Sequence, residues 1–230
     1  MPLNILGDSV KMSEDSRSKK NISELRREYS RQALVKSEVC ENPIEQFTEW
    51  FKQAFSADIL DVNAMTLSTA TKQGKPSSRI VLLKGVDEAG FRFYTNYRSR
   101  KGRELSENPH AALCFYWAPL ERQVRIEGEV EKVSRSASAN YFKQRPRESR
   151  LGAWASKQSD KVSSREALEN RFREIKQRFE DQEIPLPDFW GGFLLRPERI
   201  EFWQGRESRM HDRICYEKSD AIWNIFRLAP

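Results

Sequence analysis

The chain has 230 residues, 38% of them hydrophobic, with 40 Lys and Arg against 34 Asp and Glu for a formal charge of +6. At this length roughly 70% of the unfolded surface can be buried, so one domain can build a core without staples. No run approaches the roughly 18 apolar residues of a membrane span, and Asp8, Lys11, Glu14 and Asp15 interrupt any secretory apolar stretch. Cys40, Cys114 and Cys215 are scattered, with no CxxC pair, which points to a reducing compartment and a cytoplasmic protein. His110 and His211 are the only histidines and no HExxH occurs, so a three-His zinc site is excluded and no metal site is expected. The basic balance suits an anionic partner (nucleic acid, a membrane surface or a small phosphorylated molecule) or simply a solubilising surface.

Residues 1 to 22 are polar, mixed in charge and free of aromatics, and read as a disordered arm. A helical turn or two is plausible over Ile22 to Ser30. Asn42 and Pro43 then cap and open a helix to about Ala57, with Ile44, Phe47, Phe51, Ala54 and Phe55 as its apolar face. Beyond Asn63 the period shortens. Short strands over residues 65–70, 79–84, 91–95, 110–117 and 122–132 are joined by turns such as Lys72 to Pro76 and Asp87 to Gly90. A helix from about Ser99 to Glu107 interrupts them. Ser136 to Glu180 is helical with a break at Pro146, and strands return at 190–195, 200–204, 209–216 and 222–227. Six to eight strands with inserted helices make one antiparallel β-barrel domain of α+β character, residues 23–230.

Phosphate cradles of the GxGxxG or P-loop kind are absent, so any phosphate must be held by side chains. Arg98, Arg100, Lys101 and Arg103 crowd the start of a helix, where N–H groups add to their charge. Tyr141, Lys143, Arg145, Arg147 and Ser149 flank the break at Pro146, and Arg209, His211, Asp212 and Arg213 form a late group. Arg79 and Lys84, five apart on one strand, face opposite ways and must serve different ligands unless the strand bends. Each group has a plainer reading as solvated surface, and Trp203, Cys114 and Cys215 as packing residues.

Seven segments in order nevertheless carry a resemblance: RREY (Arg26 to Tyr29), RIVLLKG (Arg79 to Gly85), FYTNYRSRKG (Phe93 to Gly102), YWAPLERQVRIEG (Tyr116 to Gly128), YFKQRPRESRLGAWASKQS (Tyr141 to Ser159), FWGGF (Phe189 to Phe193) and IEFWQGRESRMHDR (Ile200 to Arg213). With them, and the ending Arg227 to Pro230, the chain resembles the pyridoxine (pyridoxamine) 5′-phosphate oxidase family from about residue 24 to its end.

The resemblance implies an FMN-binding split β-barrel working as a homodimer, with flavin mononucleotide (FMN) between the subunits. It implies FMN contacts from Arg79, Ile80, Val81, Leu82, Leu83, Lys84, Tyr94, Thr95, Arg100, Lys101, Gln123, Gln158, Ser159, Trp203 and Arg213. It implies a substrate phosphate held by Lys84, Tyr141, Arg145 and Ser149. Arg209 and His211 would lie against the pyridine ring as catalytic residues, beside Met210, which stands where leucine is common. Arg26, Arg27, Glu28 and Tyr29 would belong to a lid. The implied reaction moves a hydride from C4′ of pyridoxine or pyridoxamine 5′-phosphate to flavin N5. Oxygen then reoxidises the flavin to give hydrogen peroxide, and the amine substrate also releases ammonia after hydrolysis. Two other classes fit parts of the sequence: a non-catalytic flavin-binding relative, which predicts a broken substrate site, and a basic barrel that binds RNA.

Overall fold

The computed structural model describes Tyr29 and residues 33–230. The arm, the expected turn over 22–30 and the lid residues Arg26, Arg27 and Glu28 lie outside the described residues. Helix α1, Pro43–Ser56, opens as its sequence dictates, with Asn42 Oδ1 accepting from the Ile44 N–H at 2.8 Å and Pro43 at the first position. Its buried face is Ile44, Phe47, Trp50 and Ala54, whereas Phe55 is 70% exposed. Ile44, Phe47 and Ala54 lie on the expected face and Phe51 packs half-buried against the core, while Trp50 joins them and Phe55 does not. Phe47 is fully buried and meets Phe91, Phe115 and Trp117. Truncating it to alanine would cost about 3–5 kcal/mol.

Among the described residues nine antiparallel strands form the sheet: β1 Ala64–Ala70, β2 Pro76–Leu82, β3 Gly85–Asp87, β4 Gly90–Asn96, β5 His110–Trp117, β6 Arg122–Lys132, β7 Trp190–Gln204, β8 Asp212–Ser219 and β9 Ile222–Arg227. The main path runs β2-β1-β5-β6-β7-β4-β3, with β8 and β9 added beside β7. Against the segments read from the sequence, β3 is added between an expected strand and the turn at Asp87 to Gly90. The strands expected at 190–195 and 200–204 are one continuous strand. That strand pairs with β4 through its first half and with β8 through its second, while β6 runs along its other side. The β6–β7 register shifts between Glu127 and Gly128. A Cβ on Gly128 would sit 2.0 Å from the Arg196 carbonyl oxygen, so only glycine permits this close approach and the bend it makes.

The sheet curls because β2 changes partner where it ends. The Leu83 N–H bonds back to Asn63 O at 2.8 Å, and the next N–H, Lys84, bonds across to Arg92 O of β4 at 2.8 Å. The chain therefore crosses from the β1 side to the β4 side at Leu83–Lys84. Val124, Ile126 and Val130 of β6 share the inner face with Phe93, Phe193 and Phe202.

Helix α2, Arg100–Glu107, follows β4, and helices α3 Arg135–Gln144, α4 Arg147–Ala155 and α5 Arg165–Arg178 fill the link from β6 to β7. A second cluster of Phe142, Leu151, Phe179, Ile184 and Trp190 fixes these helices to the first residue of β7. Of the cysteines expected to be buried, Cys215 is buried and Cys114 is half-buried.

Candidate functional site

A cavity of about 820 Å³ opens between the outer face of β2, the end of β4, the start of α2 and the α3–α4 pair. Strand β2 has inverted polarity: Ser77, Arg79 and Val81 face inward and are half-buried, while Ile80 and Leu82 face outward, 65% and 40% exposed. Arg79, Ile80, Val81, Leu82, Lys84, Tyr94, Thr95, Arg100, Lys101, Gln158 and Ser159 all line the cavity, as do Tyr141, Arg145 and Ser149. Leu83 does not; it is buried in the barrel core. Strand β2 ends at Leu82, and the partner switch at Leu83–Lys84 lets Arg79 and Lys84 both reach one cavity.

Two cationic groups stand in this cavity. The first begins with Lys101, buried on α2, whose ammonium donates to Thr95 Oγ1 at 3.2 Å, Ser99 Oγ at 3.4 Å and Gln158 Oε1 at 3.1 Å. All three acceptors are neutral. Burial, and then the Arg79 charge, pull its pKa down to about 8. A buried ammonium without an anion is costly, and a bound phosphate removes that cost. Beside it, Arg79 and Arg100 both contact the Glu104 carboxylate. The helix start adds less than its position suggests, because the Arg100 N–H is bonded to Ser159 Oγ at 3.1 Å and the Gly102 N–H to Ser99 Oγ at 3.2 Å.

The second group centres on Arg145, just past the end of α3. Tyr94 and Tyr141 stack at 3.9 Å with Trp190 beside them, and the Arg145 guanidinium lies 4.6 Å over the Trp190 ring. Burial pulls the Arg145 pKa down and pushes those of Tyr94 and Tyr141 up. Arg145 Nη1 is buried with no hydrogen-bond partner, the mark of a donor awaiting a ligand.

The remaining expected site residues gather at the far end of β7. Gln123 pairs with Trp203 in register, Trp203 with Arg213, and neither these nor Tyr29, Arg209, Met210 and His211 lines the large cavity. Arg213 is committed to Glu201 through Nε and Nη2, both at 2.9 Å, and to the Ala229 carbonyl at 2.8 Å. The Arg206 N–H donates to His211 Nδ1 at 3.1 Å, which leaves Nε2 to carry the proton of the neutral ring. Trp203 packs 4.7 Å from that ring, and Tyr29 stands edge-on to both.

Arg209 is not on a strand. It ends a short 3-10 turn, Glu207–Arg209, with φ of 60° after Ser208 at 54°, and β8 starts only at Asp212. The strand expected over 209–216 therefore starts later, and a tight left-handed turn sets the relation of Arg209 to His211. Ser77, Asn96, Ser156 and Trp190 line the cavity without having been expected there. The inverted pattern of β2 pointed to Ser77, whereas nothing local marks Ser156.

The chain is similar to known proteins along most of its length. Residues 51–179 match the family model described as pyridoxamine 5′-phosphate oxidase, and residues 190–230 match that of the pyridoxine 5′-phosphate oxidase C-terminal dimerisation region. The chain is 55% identical over 210 residues to a pyridoxine/pyridoxamine 5′-phosphate oxidase of Cyanothece sp. (91% of this chain, 99% of the relative). It is 56% identical over 212 residues to the protein of that name from Trichormus variabilis (92% and 99%). Among solved structures it is similar to PhzG from Burkholderia lata 383 in complex with tetrahydrophenazine-1-carboxylic acid, with TM-score 0.82, 30% identity and 87% and 100% coverage. An FMN-binding protein related to pyridoxamine 5′-phosphate oxidase, from Nostoc punctiforme, shares the split-barrel fold at TM-score 0.65 and 18% identity (84% and 100%).

Proposed function

The chain belongs to the pyridoxine/pyridoxamine 5′-phosphate oxidase family, and on that premise we propose that it is an FMN-dependent oxidase that converts pyridoxine and pyridoxamine 5′-phosphates to pyridoxal 5′-phosphate. The observation that carries this reading is the pair of uncompensated cationic groups in one cavity: Lys101, buried among neutral oxygens, and Arg145, with its buried unpartnered Nη1. Two such groups fit two phosphates, one on the cofactor and one on the substrate. An 820 Å³ cavity is also within the range of sites for ligands of this size.

Lys101 and Arg100 would hold the flavin phosphate, with Gln158 and Ser159 as further polar partners for the cofactor. Arg145, Tyr141, Ser149 and Lys84 hold the substrate phosphate, with the Tyr94–Tyr141–Trp190 stack walling that end against water. When bound, FMN supplies the acceptor for a hydride from C4′ of the substrate and passes the electrons to oxygen as hydrogen peroxide. Arg209 covers the pyridine ring, and His211 holds a proton on Nε2 toward the ring's polar substituents.

These last two residues reach the cavity from a second copy of the chain. Trp190 and Trp203 lie thirteen residues apart on β7, a path of roughly 40 Å at the usual rise. The region matched to the dimerisation model carries Trp203, Arg209, His211 and Arg213. The exposed apolar side chains Ile80 and Leu82 on the outer face of β2 supply contact surface. The intact Arg145 group speaks against a flavin-binding relative without a substrate. No helix among the described residues is long and apolar enough to cross a membrane. With free thiols at Cys40, Cys114 and Cys215, we place the enzyme in the cytoplasm.

The test is an absorption spectrum followed by anaerobic pyridoxine 5′-phosphate. Yellow protein that bleaches and recovers in air is the expected result. Protein that stays yellow would reduce it to a flavin carrier, and colourless protein that takes up no FMN would overturn the reading.

A further inference from the structure

Glu104 does not itself line the cavity, yet its buried carboxylate gathers four hydrogen bonds beside it. It sits on α2 and is 4% exposed. Its carboxylate accepts from Thr69 Oγ1 at 2.5 Å, Ser77 Oγ at 2.6 Å, Arg79 Nη2 at 3.3 Å and Arg100 Nε at 2.8 Å. Burial alone would raise its pKa, but the Ser77, Thr69 and Arg100 donors outweigh burial and hold it at about 2.

The two arginines it holds are left in different states. Arg79 is consumed: Nη1 donates to Leu67 O at 3.2 Å and Thr69 Oγ1 at 2.5 Å, and Nη2 donates to Ser77 Oγ and Glu104. Neither terminal nitrogen of Arg79 keeps an N–H for a ligand. Arg100 is held through Nε, so its two terminal nitrogens remain to form a fork, and its side chain is 60% exposed. One carboxylate among Arg79, Arg100 and Lys101 leaves two positive charges, the complement of a phosphate monoester carrying about −1.5 to −2.

We propose that Glu104 is a positioning residue for the cofactor phosphate: it locks Arg79 into the strand, presents the Arg100 fork beside the Lys101 ammonium, and so sets the preference for phosphorylated over unphosphorylated flavin. This rests on the FMN reading above. A simpler electrostatic view predicts the opposite, since removing a carboxylate should draw an anion in. That gain cancels itself. Without the carboxylate the Arg79 and Arg100 charges stand unpaired beside Lys101, and the Arg79 charge already opposes its protonation. The two guanidiniums meanwhile lose the acceptor that aims them, and the amide of a glutamine would turn an N–H₂ toward one of them.

The experiment is titration of flavin-free wild type and Glu104→Gln with FMN and, separately, with riboflavin, followed by flavin fluorescence. Glu104→Gln should raise the FMN dissociation constant about ten-fold or more and move the riboflavin constant less than about two-fold. Arg100→Met should weaken FMN strongly in the wild type but add little in the Glu104→Gln background, because both changes remove one aimed fork. An FMN constant that is unchanged or lower in Glu104→Gln, or equal losses for both flavins, would overturn the assignment. If Glu104→Gln is insoluble, Thr69→Val removes one hydroxyl of the same network and should show the same FMN-selective loss on a smaller scale; an unchanged FMN constant there overturns the assignment equally. Wild-type protein that binds FMN no better than riboflavin would instead overturn the cofactor-phosphate reading, and this assignment with it.

Discussion

Lys101 and Gln158 meet at 3.1 Å, tying the first turn of α2 to the loop after α4 through a buried ammonium that faces no carboxylate among its hydrogen-bond partners. The sign of its pH dependence follows. Its pKa of about 8 lies below the ordinary value of 10.5, so above pH 8 the flavin-free protein releases a proton that the phosphate needs. FMN affinity should therefore fall as pH rises past about 8, by roughly ten-fold per unit until the bound-state pKa is reached. Stability of the flavin-free protein moves the other way between pH 8 and 10.5, rising because the unfolded chain still holds the proton there. Lys101→Met should abolish both slopes, which titrations and melts across that range can check.

Arg145 predicts a trade between stability and binding. Its Nη1 is buried with no hydrogen-bond partner. Arg145→Met, which keeps the packing over Trp190, should leave the melting temperature unchanged or higher. It should also raise KM for pyridoxamine 5′-phosphate by about 10- to 150-fold, the worth of hydrogen bonds to a charged group. Bound flavin, measured at 450 nm, should stay at wild-type level.

Arg209 holds a left-handed backbone with φ of 60°, which costs a non-glycine residue about 1 kcal/mol. Arg209→Gly should relieve that strain and cost no thermal stability, while turnover collapses and flavin content is retained. Loss of flavin with turnover would show that the guanidinium serves the cofactor instead.

Gly205 is the seat of Tyr29: a Cβ there would lie 2.8 Å from two carbons of the Tyr29 ring and 3.0 Å from Glu121 Cβ. Gly205→Ala should displace Tyr29 from the Trp203–His211 pair and raise the substrate KM by about ten-fold, the usual scale of an overpacked contact. Steady-state kinetics at saturating FMN would measure it, and an unchanged KM would show that Tyr29 does not shape the site.

Most of the strand pattern was legible because alternating burial on β1, β4, β5 and β6 writes itself into the sequence, and because Asn42–Pro43 and Ser99 announce their helices. What escaped was decided by contacts between distant segments. Strand β3 forms only because Lys84 crosses to Arg92, and the Ser208–Arg209 turn needs two consecutive left-handed residues that neither residue type advertises. The sequence singles out the cations at the start of α2 and not Glu104. Its spacing of four from Arg100 was visible, but its burial against Thr69 and Ser77 depends on β1 and β2 packing under α2. The resemblance named the residues of both site groups, whereas periodicity alone could not have shown that they fall at opposite ends of one strand.

That separation yields the most direct test of the account, mixed dimers of Arg145→Ala and Arg209→Ala chains purified through two different tags. If each site takes Arg145 from one copy and Arg209 from the other, a mixed dimer contains one site with both changes and one with neither. It should recover about half the wild-type activity from two nearly inactive parents. Mixed dimers no more active than either parent would show that both residues act within one chain, and would contradict a site shared between two copies.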